Sequence, residues 1–234
     1  MKTQNLAEKI IAFNKSLKLK VELPRDVDVM NPFTDTTTRE LSERFYRKYY
    51  SDNNPRVLLL GINPGRFGAG VTGIPFTDPV RLEEKCGIAN QLEKKPELSS
   101  QFVYRMIDAF GDAASFYSNF LVSAVSPLGF LKNGKNLNYY DSAELQKKVE
   151  PFILECLREQ MNFGNIRTDI AVSVGGGKNF KYLRKINSEH QFFTEIIALQ
   201  HPRYIMQYKR KYLQDYISEY VQKLGSISGP KNEL

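Results

Sequence analysis

Four short apolar runs constrain this chain more than any other feature. They are Val57-Leu58-Leu59-Leu60-Gly61-Ile62, Phe120-Leu121-Val122-Ser123-Ala124-Val125, Ile170-Ala171-Val172-Ser173-Val174 and Glu195-Ile196-Ile197-Ala198-Leu199. Each is shorter than an ordinary helix, and the first is bracketed by Pro55 and Pro64, as suits a buried strand. Helical spacing of apolar residues separates the runs, around 79–90, 100–110, 141–160 and 178–187. Strands alternating with helices predict an α/β fold with a central, mostly parallel four-stranded sheet between two helical layers. With 234 residues, 41% of them hydrophobic, the chain is expected to form a single domain.

Leu6, Ile10, Phe13 and Leu17 recur at helical spacing, predicting an amphipathic helix within an N-terminal extension spanning 1–25. Pro24, Asn31 and Pro32 mark an irregular stretch. Thr37 or Thr38 is expected to cap a second helix carrying Leu41, Phe45 and Tyr49. Near the C-terminus Tyr208, Tyr212, Tyr216 and Tyr220 stand four apart, which predicts one helix with a core-facing tyrosine ridge rather than a ladder for stacking bases.

Lysine and arginine number 33 against 26 acidic residues, a formal charge of +7. That balance suits an anionic partner such as nucleic acid, although many soluble proteins are basic for no such reason. Cys86 and Cys156 are the only cysteines and lack the close spacing of metal ligands, so no zinc, iron–sulfur cluster or other cofactor is expected. Free thiols suit a reducing compartment. No apolar run reaches membrane-span length, and the first residues lack the apolar core of a secretory leader, so a cytoplasmic protein is expected. The terminal Lys-Asn-Glu-Leu resembles a retrieval signal but without a leader reads as coincidence.

In parallel sheets ligands bind beyond the carboxyl ends of the strands. The first run is followed by Gly61-Ile62-Asn63-Pro64-Gly65-Arg66-Phe67-Gly68, a rigid turn without the Lys-Ser/Thr ending of a phosphate-binding loop. Further on, Pro75 precedes Phe76, an aromatic that either fills the core or faces a ligand. Asn119 stands just before or within the second run, where a buried amide either ties loops together or reads a base edge. The third run leads into Gly175-Gly176-Gly177-Lys178, a turn that suits a phosphate. The fourth leads into Gln200-His201-Pro202-Arg203, placing one of two histidines at a strand end.

Together these motifs resemble the uracil-DNA glycosylase superfamily, and within it the SMUG family, the single-strand-selective monofunctional glycosylases. Gly61-Ile62-Asn63-Pro64-Gly65 is similar to that family's first signature and Thr72-Gly73-Ile74-Pro75-Phe76 to the segment after it. Asn31-Pro32, Phe116-Tyr117-Ser118-Asn119, Ser126-Pro127-Leu128-Gly129-Phe130-Leu131 and Gly134-Lys135-Asn136-Leu137 follow its order, and His201-Pro202 opens its second signature. The residues after His201-Pro202, and Arg66 where proline is usual, depart from the better-known branch and resemble the divergent bacterial second branch.

The resemblance implies excision of uracil from DNA in base excision repair, by a monomer without a cofactor. Asn63 would position the attacking water, and His201 would stabilise the leaving base. Ile62, Gly65, Phe76 and Asn119 would contact the base, with Phe76 stacking on it and Asn119 reading its pairing edge. Arg66, Lys178, Arg203, Tyr204, Lys209 and Arg210 are the candidates for DNA contact, by phosphate pairing or by filling the gap left by the flipped base. Two rival readings stand beside this: a DNA-binding module on the same fold that does not cut, and a nucleotide-binding α/β protein using Gly175–Lys178.

Overall fold

In the computed structural model residues 4–229 are described; the first residues of the N-terminus and the terminal Lys-Asn-Glu-Leu lie outside them. Four parallel strands, β2 (Arg56–Gly61), β3 (Phe120–Ala124), β6 (Ile166–Val174) and β7 (Glu195–Leu199), form a sheet in the order β3-β2-β6-β7. The sheet is the expected one, entirely parallel, with β2 paired to both β3 and β6. All six residues of β2 are buried, so both faces are covered. Even Arg56 is buried there: its guanidinium donates to both oxygens of Asp52 at 2.7 and 2.9 Å and to the Tyr117 carbonyl at 2.7 Å. The pairing holds the Asp52 carboxyl below its usual range.

A second, three-stranded antiparallel sheet was not expected. It joins β1 (Val27–Met30), β4 (Gly129–Lys132) and β5 (Lys135–Leu137) in the order β1-β4-β5. Strand β1 lies inside the stretch read as irregular. The β4–β5 hairpin turns on Asn133-Gly134, both at positive φ (50° and 69°), and Asn-Gly is the commonest pair for such a turn. That signal was present in the sequence.

The helices are α1 (Leu6–Ser16), α2 (Thr36–Tyr49), α3 (Ala69–Thr72), α4 (Pro79–Glu84), α5 (Leu98–Phe110), α6 (Ala113–Asn119), α7 (Ala143–Met161), α8 (Lys178–His190), α9 (Pro202–Tyr208) and α10 (Leu213–Ile227). Helix α1 buries Leu6, Ala7, Ile10, Ile11 and Phe13 in the core. Helix α2 is capped by Asp35, not by Thr37 or Thr38: its carboxylate accepts from the Thr38 amide at 2.7 Å, and these bonds lower its pKa. Asp78 caps α4 the same way, accepting from Arg81 N–H at 2.8 Å and from Glu97 N–H at 2.7 Å, which ties the start of α5 to α4.

The tyrosine stripe does not lie on one helix. A 3-10 turn over Arg210–Tyr212 breaks it between α9 and α10 and rotates the faces. Tyr220 is buried as a ridge residue should be, but Tyr208 and Tyr212 are 66% and 45% exposed. No helix among the described residues is long and apolar enough to cross a membrane.

Candidate active site

The carboxyl ends of β2 and β3, with the loops after β2 and β7, enclose an open cleft of about 710 Å³, the size of a small-molecule site. Asn63, Gly65, Phe76, Tyr140 and His201 all line it.

Asn63 lies two residues beyond the end of β2 and is half-buried. Its Nδ2 donates to the Leu137 carbonyl at 3.2 Å, and its Oδ1 accepts from the Tyr139 amide at 3.1 Å. Nδ2 also donates to the Pro64 carbonyl at 3.4 Å, and two backbone acceptors with one backbone donor permit only one orientation of the amide. Oδ1 keeps a second lone pair for a molecule in the cleft. The preceding Ile62 lines the cleft, while its carbonyl accepts from Ser126 N–H at 3.1 Å, continuing the β2–β3 ladder beyond both strands.

Phe76 adopts φ 53°, left-handed backbone that a bulky side chain rarely takes. It is the third residue of a turn closed by the Thr77 N–H donating to the Ile74 carbonyl at 3.2 Å, where glycine is usual. The turn is locked from below: the Thr72 hydroxyl donates to the Thr77 carbonyl at 2.7 Å, and Thr77 Oγ1 lies 3.0 Å from the Tyr104 hydroxyl. Strain held in place by buried hydrogen bonds marks a residue whose position matters. The ring lies over the end of β2: a Cβ on Gly61 would stand 2.9 Å from Phe76 Cζ, so a side chain there would displace the ring. A Cβ on Gly65 would meet only Asn136 Nδ2, at 3.6 Å, so that position is open to the cleft.

His201 is the N-cap of α9, and its Nδ1 accepts from the Arg203 amide at 3.2 Å. That bond puts the proton of the neutral ring on Nε2. Burial, and secondarily the Arg203 charge, pushes its pKa down to about 4. At neutral pH the cleft therefore holds a neutral imidazole that donates. The Phe76 and His201 ring centroids are 6.0 Å apart.

At the rim, Arg66, Arg203 and Tyr204 are exposed and line the cleft, and the Arg66 guanidinium sits 4.5 Å from the centroid of the exposed Phe67 ring. Tyr204 packs against Tyr208 with the rings tilted by 47°, 5.4 Å between centroids. The other expected residues lie elsewhere. Lys178 stands outside the cleft lining, its ammonium 5.9 Å from the Tyr140 ring, and the Gly175–Lys178 turn forms no part of the lining either. Lys209 is a half-buried cap between α9 and the 3-10 turn, and Arg210 is exposed beyond it; neither lines the cleft.

Asn119 corrects the expected base reader. It ends α6, ahead of the first residue of β3, and so sits at the amino end of the strand, opposite the cleft. Its Nδ2 donates to the Ser115 carbonyl at 2.8 Å and its Oδ1 accepts from Gly229 N–H at 2.9 Å, so the amide ties chain segments together. Ser123 and Ala124 occupy the cleft end of β3 instead.

Residue-by-residue reading missed Asn138, Tyr139 and Tyr140, between β5 and α7. Their signal was an Asn-Tyr-Tyr-Asp run directly after the Gly134-Lys135-Asn136-Leu137 motif. Burial pushes the Tyr140 phenol up to about 12, which keeps it neutral beside the cleft. Among the described residues no group of three or more His, Cys, Asp or Glu side chains is placed to hold a metal ion.

The family described as Uracil DNA glycosylase superfamily matches residues 47–225. A crystal structure of wild-type Pedobacter heparinus SMUG2 is similar over 96% of this chain and 98% of that one, at 48% identity and a TM-score of 0.93. A search of curated proteins found no match. With the family matched over most of its length and a solved relative sharing 48% of its sequence and the same fold, this chain belongs to the uracil DNA glycosylase superfamily.

Proposed function

We propose that the protein is a monofunctional DNA glycosylase that hydrolyses the N-glycosidic bond of uracil in DNA. The observation that carries the reading is the pairing, in one cleft, of an Asn63 held by three backbone bonds with a His201 whose proton is confined to Nε2.

The target nucleotide leaves the base stack, or arrives single-stranded, and its base lies against the Phe76 ring. As the bond between C1′ and the base nitrogen breaks, the electron pair leaves with the base and positive charge develops on the sugar. His201 Nε2–H donates to the base oxygen that takes up the negative charge, an interaction typically worth a few kcal/mol. Asn63 Oδ1 holds a water that adds through its oxygen to C1′; the released proton passes to solvent, and the departing base takes up one proton from solvent. An amide is no general base, so bond breaking runs ahead of water attack. The products are free uracil and an abasic site, with the strand intact.

With Asn119 at the far end of β3, contact with the base edge falls to the backbone around Ile62 and to the cleft's shape. The open space beside Gly65 supports acceptance of related damaged bases. Arg66, Arg203 and Tyr204 at the rim contact the DNA; Lys178, Lys209 and Arg210 add only outlying positive charge.

The test is a labelled oligonucleotide carrying one uracil, single-stranded and duplexed, incubated with enzyme and then treated with alkali. Alkali-dependent cleavage that falls sharply in Asn63→Ala and in His201→Ala supports the reading. No cleavage by folded wild type at enzyme excess overturns it.

A further inference from the structure

We propose that Tyr139 and Asn179 are positioning residues that hold Asn63 in its working orientation and tie it to the backbone beneath His201. The proposal rests on the glycosylase reading above, but its geometry is independent of it.

Of the three backbone groups that fix Asn63, the two closer ones belong to one short segment: the Leu137 carbonyl accepts from its Nδ2, and the Tyr139 amide donates to its Oδ1; the third, the neighbouring Pro64 carbonyl, accepts from Nδ2 at 3.4 Å. A shift of that segment therefore costs Asn63 both of the closer bonds at once. Tyr139 anchors the segment. Its side chain is fully buried, and its hydroxyl donates to Asn179 Oδ1 at 2.8 Å. Burial holds the phenol well above its ordinary pKa, so it remains a donor.

Asn179, 1% exposed in the first turn of α8, passes the anchor to the central sheet. Its Nδ2 donates to Ser173 Oγ at 3.2 Å and to the Leu60 carbonyl at 3.4 Å, and Ser173 Oγ donates to the Gly175 carbonyl at 3.0 Å. Gly175 reaches the other half of the site. Its N–H donates to the Leu199 carbonyl at 2.9 Å, two residues before His201. A Cβ placed on it would lie 3.5 Å from Asn179 Cβ and 3.7 Å from His201 Cδ2. One polar path thus runs from Asn63 through Tyr139, Asn179 and Ser173 to the backbone under His201. Packing alone does not call for this path, because apolar residues of similar shape would fill the space without buried polar groups to satisfy.

The experiment measures single-turnover excision of uracil by wild type, Tyr139→Phe, Asn63→Ala and the double variant. Tyr139→Phe keeps the ring and removes only the anchoring hydroxyl. Its maximal rate is expected to fall about tenfold, the effect of one buried hydrogen bond, with half-saturating enzyme concentration unchanged. In the Asn63→Ala background the same change is expected to cost nothing further, because Tyr139 acts through Asn63. A Tyr139→Phe rate equal to wild type, or an equal fall in both backgrounds, overturns the proposal. If Tyr139→Phe does not fold, Asn179→Ala replaces it with the same expectations. A second readout does not depend on activity. The side-chain amide resonances of Asn63, identified by their loss in Asn63→Ala, should move in Tyr139→Phe, and unmoved resonances would refute the coupling. If wild type releases no uracil, the glycosylase reading fails by itself and these resonances alone decide the coupling.

Discussion

His201 should make the folded protein unusually sensitive to mild acid, and the size of the effect follows from its surroundings. Burial and Arg203 hold its pKa at about 4, against an ordinary 6.5. As pH falls below the ordinary value, the unfolded chain takes up a proton that the folded chain refuses. Stability is therefore lost between about 6.5 and about 4, and nothing more is lost below that. The full gap is worth up to about 3 kcal/mol, at about 1.4 kcal/mol per tenfold change in proton affinity, and about 2 kcal/mol of it falls between about pH 7 and about pH 5. The carboxylates held low by partners, Asp35, Glu43, Asp52 and Asp112, act in a separate window below their ordinary values of 3.8 to 4.5. Urea unfolding of wild type and His201→Gln at the two pH values isolates the term: wild type should lose about 2 kcal/mol more than the variant. Excision by wild type should stay level over the same range and fall only as His201 takes its proton, which breaks its bond to the Arg203 amide. Equal losses of stability in the two proteins, or a His201 ring resonance titrating at an ordinary 6.5, would refute the reasoning.

Other variants test the cleft. Asn63→Asp sets a carboxylate oxygen against the Leu137 carbonyl where Nδ2 now donates, so excision should be abolished and melting should show a loss of about 1–3 kcal/mol. Phe76→Gly removes the ring but relieves the backbone at φ 53°, so it should melt as a protein about 1 kcal/mol more stable than Phe76→Ala, with base binding lost in both. Gly61→Ala forces a methyl to within 2.9 Å of Phe76 Cζ, so excision should fall while the circular dichroism of the fold is kept.

Much of this was legible in the chain. The four parallel strands announce themselves as short apolar runs, most plainly β2, which is buried on both faces and is apolar after Arg56; the edge strand β7 is only partly covered yet keeps its apolar run. Loops after such strands gather at one end of a parallel sheet, which is why Asn63, Phe76 and His201 could be expected in one cleft. The proline and glycine spacing around them, and the likeness of their motifs to the family, carried the rest of the expectation.

Other features depend on distances between chain segments that no local pattern encodes. Asn119 sits one residue ahead of β3, and five residues at about 3.3 Å each put it about 17 Å from the cleft end of that strand. A misplacement that small in the chain moves a side chain across the whole sheet. The tyrosine stripe kept perfect spacing, yet a three-residue 3-10 turn rotated Tyr208 and Tyr212 into solvent. The neutrality of His201 and the single orientation of Asn63 were likewise unreadable. One is set by the protein packed around the ring, the other chiefly by the backbone of residues 137 and 139, more than seventy positions away in the chain. Local patterns name the residues of the site, but burial and hydrogen bonds between distant segments decide which are present and in what state.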